Sequence, residues 1–207
     1  MKNSSKIVSL VLALCMICAM SVTAFAAEID TSGGSGTTPV SLTTTNNGIG
    51  GGDGGEVTPT KLSVIVPTSL PMAMSDDGSV VTATDCKIIN QSYGAVRVKS
   101  VTISAAPSWN LTPYGDKSIL AGEKVDSNKL GFAMSIGGGT QVKTTTSKAT
   151  QTLINMPISG CFMTGIGDPA HNYATINYAA IVTPLSNAVA NATVANIVIV
   201  VEWDTVG

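Results

Sequence analysis

Charge is scarce in this chain: only 12% of its 207 residues are Asp, Glu, Lys or Arg, and aromatic residues make up 4%. Neither a basic stripe nor aromatic residues interleaved with Arg occur, so nucleic acid is not an expected partner. One histidine, His171, is the sole imidazole. Long amphipathic helical patterns are missing, which sets aside helix-bundle architectures. What remains abundant is Thr, Ser, Asn and Gly with short apolar runs, the composition of strands and turns on an extracellular surface.

The first residues read MKNSSKIVSLVLALCMICAMSVTAFAA. Lys2 and Lys6 precede an apolar run from Ile7 to Met20, then small residues around Ala24-Phe25-Ala26. This is the pattern of a secretory signal peptide, residues 1–26, with cleavage expected after Ala26. The run is too short and wrongly flanked for a stable span, so no membrane span is expected after signal removal. Lipid attachment at Cys15 or Cys18 needs a small preceding residue, whereas Leu14 and Ile17 stand there. With no hydrophobic tail after the last strand, attachment to a surface is expected to be non-covalent or supplied by a partner. Loss of Lys2 and Lys6 leaves 9 basic residues against 13 acidic ones.

Two cysteines, Cys86 and Cys161, lie beyond the leader. Exported chains meet conditions in which disulfides persist. Sequence leaves two readings open: a possible disulfide between them, or two buried thiols in strand-like runs.

Strand signals recur at short spacing over residues 60–207. They are KLSVIVP, SLPMAM, SVVTAT, CKIIN, AVRVKSVTISA, WNLTPY, LGFAMSI, QTLINMPISGCFM, YATINYAAIVT and ANIVIVVEW. Nine or ten strands without a convincing helix predict an all-β fold, an antiparallel β-sandwich. Within AVRVKSVTIS, Val96 and Val98 have one parity and Val101 and Ile103 the other. A β-bulge near Lys99 or Ser100 brings all four to one face. The last run is apolar on both parities and is expected to lie centrally rather than at an edge.

Reaction chemistry is poorly represented, and no catalytic, cofactor-binding or metal residue is assigned. His171 lies ten positions after Cys161, the spacing of a conceivable nucleophile pair, but no orienting or oxyanion motif accompanies it. Asp76-Asp77-Gly78 reads as a hairpin turn, because a calcium site generally needs six or more oxygen ligands. Asp168 and the stretch Asp53 to Glu56 are expected in solvated turns. Glu202 and Asp204 are read as facing apart, so no pair of carboxylates is assigned to one cleft. Gly48–Gly55 and Gly137–Gly139 do not join a strand to a helix and are not phosphate cradles. A non-enzymatic protein is expected.

Trp109 and Trp203 are either core residues or a flat platform for a sugar ring, aided by Tyr93, Tyr114, Tyr173 or Tyr178. Trp109-Asn110-Leu111, followed at the chain's far end by Trp203, resembles the WxL domain of Gram-positive surface proteins. The first Trp-x-Leu motif is intact, whereas Asp204 and Thr205 follow Trp203 and the second is incomplete. The resemblance implies an Ig-like or WxL-like sandwich and non-covalent attachment to the cell wall, with Trp109, Leu111 and Trp203 as binding residues. It implies a secreted, cell-surface location, with cell-wall polymer or other surface proteins as partners. The alternative is a carbohydrate-binding module.

Residues 27–59 form a Gly/Thr-rich arm, expected to be flexible, with one short strand at 38–45 in which Pro39, Val40 and Leu42 make a possible donor strand. The linker Asn46–Thr60 gives a root-mean-square reach of about 20 Å and a taut reach of about 50 Å. Three arrangements stay open: a mobile tail, docking on the parent sheet, or exchange between copies by self-association.

Overall fold

The computed structural model describes residues 26–29, 32–38 and 61–205. In chain order the first strands are β1 (Ala26–Ile29), β2 (Ser35–Thr38), β3 (Val64–Pro67), β4 (Met72–Met74), β5 (Val80–Thr82), β6 (Lys87–Asn90), β7 (Val96–Ala105) and β8 (Asn110–Thr112). A single helical turn, α1 (Ser118–Ala121), precedes β9 (Lys129–Ile136), β10 (Val142–Lys143), β11 (Thr150–Ile154), β12 (Phe162–Met163), β13 (Tyr173–Val182) and β14 (Ala195–Trp203). The protein is all-β, with antiparallel sheets packed face to face, as the strand spacing predicts.

One sheet runs β1-β3-β6-β13-β9-β10, with β8 added parallel to β9. The other runs β11-β7-β14-β2, and β12 shares the β11 side of β7. A ribbon, β4-β5, leans on β13. There the Tyr178 hydroxyl donates to the Pro71 carbonyl and accepts from the Ala83 amide, while its ring stacks on Phe132 at 6.1 Å between centroids. Tyr178 therefore belongs to the core.

Alternation along the long strands supplies the interior. Ile197, Ile199 and Val201 of β14 and Ala174, Ile176, Tyr178 and Ala180 of β13 point inward, joining Val64, Ile88, Met134 and Ile136 in one cluster. The expected bulge falls at Lys99: Val200 lies opposite Ser100 and the next residue, Val201, opposite Val98. Val96, Val98, Val101 and Ile103 are consequently all fully buried. Strand β9 is covered on both faces. Its outer side meets the segment after β8, where a side chain on Gly131 would strike Ile181 and the Pro113 carbonyl. Buried Leu120 of α1, Ala133 and Ile181 lie outside the main cluster.

Cys86 and Cys161 are both buried and neither takes part in a disulfide. They belong to different sheets: the Cys86 carbonyl accepts from Ile176 of β13, and the Cys161 carbonyl accepts from Val98 of β7. The open question of pairing is thus answered for two thiols in strand-like runs.

Candidate functional site

A sheet that does not close on itself presents unpaired N–H and C=O groups along its outer strands. On one side of this sandwich those strands are β3 and β14, and both are covered by the chain's own N-terminal segment. β1 pairs antiparallel with β3, Ile29 opposite Val64 and Ala26 opposite Pro67. β2 pairs antiparallel with β14, Ser35 opposite Val200 and Thr38 opposite Ile197. Gly33, in a left-handed conformation, lies two residues before β2, and its amide donates to the Val201 carbonyl at 3.3 Å.

Residues 30–34 join the two strands. Six Cα steps from Ile29 to Ser35 span at most about 21 Å, enough to cross between sheets about 10 Å apart. The segment 26–38 is therefore a two-strand clip, one prong on each sheet.

β14 is apolar at every position from Ile197 to Val201, with Val198 and Val200 half-buried on its outer face. Left at an edge it would be a template for aggregation. The clip is what makes it central, lying between β7 and β2. The strand expected at 38–45 reaches the described residues only at Thr38; Pro39, Val40 and Leu42 lie outside them. The described strands of the arm, AAEI and SGTT, carry almost no apolar alternation, and pattern reading passed over both. Their pairing with the body is the signal that only coordinates supply.

The two tryptophans do not form one platform. Trp109 lies at the Ala195 end of β14, where its amide donates to the Ala106 carbonyl and Ala106 in turn donates to Val194. Trp203 closes β14 opposite Val96. The strand from Ala195 to Trp203 separates them by about 26 Å. Each is half-buried against the core. Leu111 is 1% exposed and meets Leu130 of β9, so it is a core residue rather than a ligand contact, a correction to its assignment as a binding residue.

Trp109 nonetheless borders a shallow groove with Asp126, Asn128, Ser186, Asn187 and Val189. All four described non-glycine residues with positive φ, Ser108, Asp126, Asn128 and Asn191, lie in the loops around it. Asp126 holds the loop after β13 by accepting from the Ser186 hydroxyl at 2.6 Å and its amide at 2.9 Å. Those bonds, the hydroxyl's first, keep the Asp126 carboxyl below the usual carboxylate range.

The opposite end is tied by a buried polar plug. Asn90 donates to the Gly94 and Thr164 carbonyls and accepts from the Ser92 amide, while Ser92 exchanges hydrogen bonds with Ser63. These bonds fix the loops carrying exposed Tyr93 and Ile166. Tyr173 on β13 is 39% exposed and lies under the Lys87 ammonium, 4.2 Å from its ring centre.

Cys161 and His171 are not assembled for nucleophilic chemistry. Cys161 is fully buried and desolvation raises its thiol pKa, the opposite of an activated thiolate. The His171 ring is exposed and bonds Asp168 at 2.8 Å within one turn. Asp76-Asp77-Gly78 forms the β4-β5 turn, Asp77 accepting from the Ser79 amide and hydroxyl and pairing with Lys117. The Ser79 amide, ahead of the other bonds, holds Asp77 far below the usual carboxylate range. Among the described residues, no three His, Cys, Asp or Glu side chains converge. Gly137–Gly139 make the turn between β9 and β10, packed against Ser159 and Gly160.

The reading of Glu202 and Asp204 as facing apart is corrected. Residues two apart in an extended strand share a face, and both carboxylates reach Arg97, at 2.9 Å and 3.5 Å. Lys99 adds a bond to Glu202 at 2.9 Å, which with Arg97 lowers the Glu202 pKa. Among the described residues no helix is long and apolar enough to cross a membrane. No family model, no curated protein and no solved structure matches this chain.

Proposed function

We propose that this chain is a secreted, non-enzymatic cell-surface or extracellular-matrix protein, of the kind found on Gram-positive envelopes, that works through its sheet margins. It associates non-covalently with cell-wall polymer, with other surface proteins or with copies of itself. The observation that carries this reading is the clip: among the described residues, both margins on one side of the sandwich are covered only by residues 26–29 and 35–38. Strand addition draws its affinity from main-chain hydrogen bonds and is therefore open to exchange. The leader-like N-terminus supports export, and the buried Cys161 thiol offers no competing chemistry. Sedimentation of the secreted chain with and without isolated cell walls tests the proposal. Oligomers or co-pelleting are expected; a monomer that stays in the supernatant at every concentration overturns it.

A second reading, a carbohydrate-binding module, is favoured by the Trp109 groove, where an aromatic face lies among Asp126, Asn128 and Ser186. That pairing of stacking surface with hydrogen-bonding groups is what a sugar ring requires. Titration with soluble wall glycan fragments in a Trp203→Phe background is expected to change Trp109 fluorescence under this reading. An unchanged spectrum rejects it.

A further inference from the structure

Building on the sheet-margin reading, we propose that the paired residues of the arm, 27–29 and 35–38 in the secreted chain, are an exchangeable clip whose partner is a second copy of this chain. At high local concentration the clip of one copy docks on the β3 and β14 margins of another.

Topology makes the exchange possible. Among the described residues β1 bonds only β3 and β2 bonds only β14, each at the outermost position of its sheet. Neither prong is threaded between other described strands, so the clip can leave without breaking another described pairing in the body. The same margins, with the same registers, stand ready on every copy. The β2 sequence, SGTT, offers main-chain bonds in place of apolar anchors.

Chain length permits both arrangements. Thr38 lies opposite Ile197, near the Trp109 end, whereas Lys61 leads into Val64, which lies opposite Asn90 near the Trp203 end. The chain between them must therefore return over about 20 Å or more, the rise from Ile197 to Trp203. Residues 39–60 supply up to about 75 Å when taut. That exceeds the roughly 40 Å diameter of a body of this size, so the clip can reach a neighbour as well as its own sheets.

Concentration then decides between them. A short tether presents its own clip at about millimolar effective concentration. Exchange is thus about 1% at 10 µM chain and about half near 1 mM. The clip keeps the dilute secreted chain monomeric and links copies where they crowd.

The test mixes two chains that each carry one added cysteine beside the buried Cys86 and Cys161, Thr37→Cys and Val198→Cys. These positions are direct partners across β2 and β14, and alternation from the Gly34–Val201 hydrogen bond makes theirs the closer, non-hydrogen-bonded kind of pair. Under oxidation, a mixed disulfide dimer is expected that rises with concentration on the scale above. Its absence near 1 mM, whether the double variant links within one chain or fails to link at all, overturns the proposal. If the parent chain still sediments as oligomers in that case, association through other surfaces stands and only exchange fails. A second variant lacks residues 42–60, leaving three residues between Thr38 and Lys61, about 14 Å of chain and too short to return. It is expected to be dimeric or larger at 10 µM; a monomer contradicts exchange.

Discussion

Val98 and Val101 lie three positions apart in one strand, yet both are fully buried in the same core. Regular alternation would send one of them to solvent. Lys99 resolves the conflict by standing as the extra residue between two paired neighbours.

Deletion of Lys99 is therefore expected to be far less damaging than deletion of Thr102 in the same strand. Without Lys99 the residues Val96, Val98, Val101 and Ile103 alternate strictly and all stay inward, whereas without Thr102 the buried Ile103 turns outward, a loss on the scale of about 2–5 kcal/mol. Lys99→Ala removes only a half-exposed ion pair with Glu202, worth about 0–1 kcal/mol. Urea unfolding of the two deletions distinguishes them, and a midpoint for the Lys99 deletion as low as that for the Thr102 deletion would refute the bulge assignment.

This part of the fold was legible in advance because parity is written in the side chains. Val96, Val98, Val101 and Ile103 announce their shared face, and the doubly apolar run Ile197–Val201 announces a strand with neighbours on both sides. The neighbour itself was not legible. β2 reads SGTT and β1 begins where a leader ends, so neither carries periodic hydrophobicity, and main-chain pairing leaves no mark in sequence. Trp109 and Trp203 stand out in the sequence by their rarity, but sequence separation says nothing of which end of a sheet a residue occupies. The Asp126–Ser186 lock, joining positions sixty residues apart, belongs to the same class of long-range contact.

Ser108 occupies a left-handed conformation, φ 69°, immediately after Pro107, in the turn that aims Trp109. Left-handed backbone costs a non-glycine residue about 1–2 kcal/mol, and glycine adds about 0.5–1 kcal/mol of unfolded-state entropy. Ser108→Gly is accordingly expected to stabilise the protein by about 0.5–1 kcal/mol, and Ser108→Val to destabilise it. A thermal scan in which Ser108→Val melts higher than Ser108→Gly contradicts this account of the turn.

Cys161 and Cys86 give a prediction about accessibility. Both thiols are buried, and desolvation raises that of Cys161. A thiol reagent at neutral pH is expected to modify neither in the folded chain and both in denaturant. Cys161→Ser puts a hydroxyl in the same apolar site and is expected to cost about 1–3 kcal/mol. Rapid native labelling of Cys161 would show that this core does not have the packing described.

Gly94 passes over the Trp203 ring so closely that an added Cβ would lie 3.1 Å from its Cζ3. Gly94→Ala must push the indole from its place, at about 1 kcal/mol, within the range for overpacking. Trp203→Phe leaves room for the methyl group, so the double variant is expected to lose less than the sum of the two single losses. Strictly additive losses would mean that the two residues do not touch.

Acid is expected to loosen the Trp109 groove through Asp126. Its carboxylate accepts from the Ser186 hydroxyl and amide, which lowers its pKa in the folded protein beneath the unfolded value near 3.9. The contribution is complete above that unfolded value and disappears as pH falls through the folded one, because protonation removes an acceptor from the loop. In a Trp203→Phe background, Trp109 fluorescence should hold steady down to about pH 4 and shift at lower pH. Asp126→Asn lacks the titrating group, so its loop should be loosened at neutral pH and show no acid step, while Ser186→Ala should move the step toward higher pH. An identical acid step in Asp126→Asn would assign the transition to another carboxylate, with Glu202, held low by Lys99 and Arg97 at the far end of β14, the next to examine.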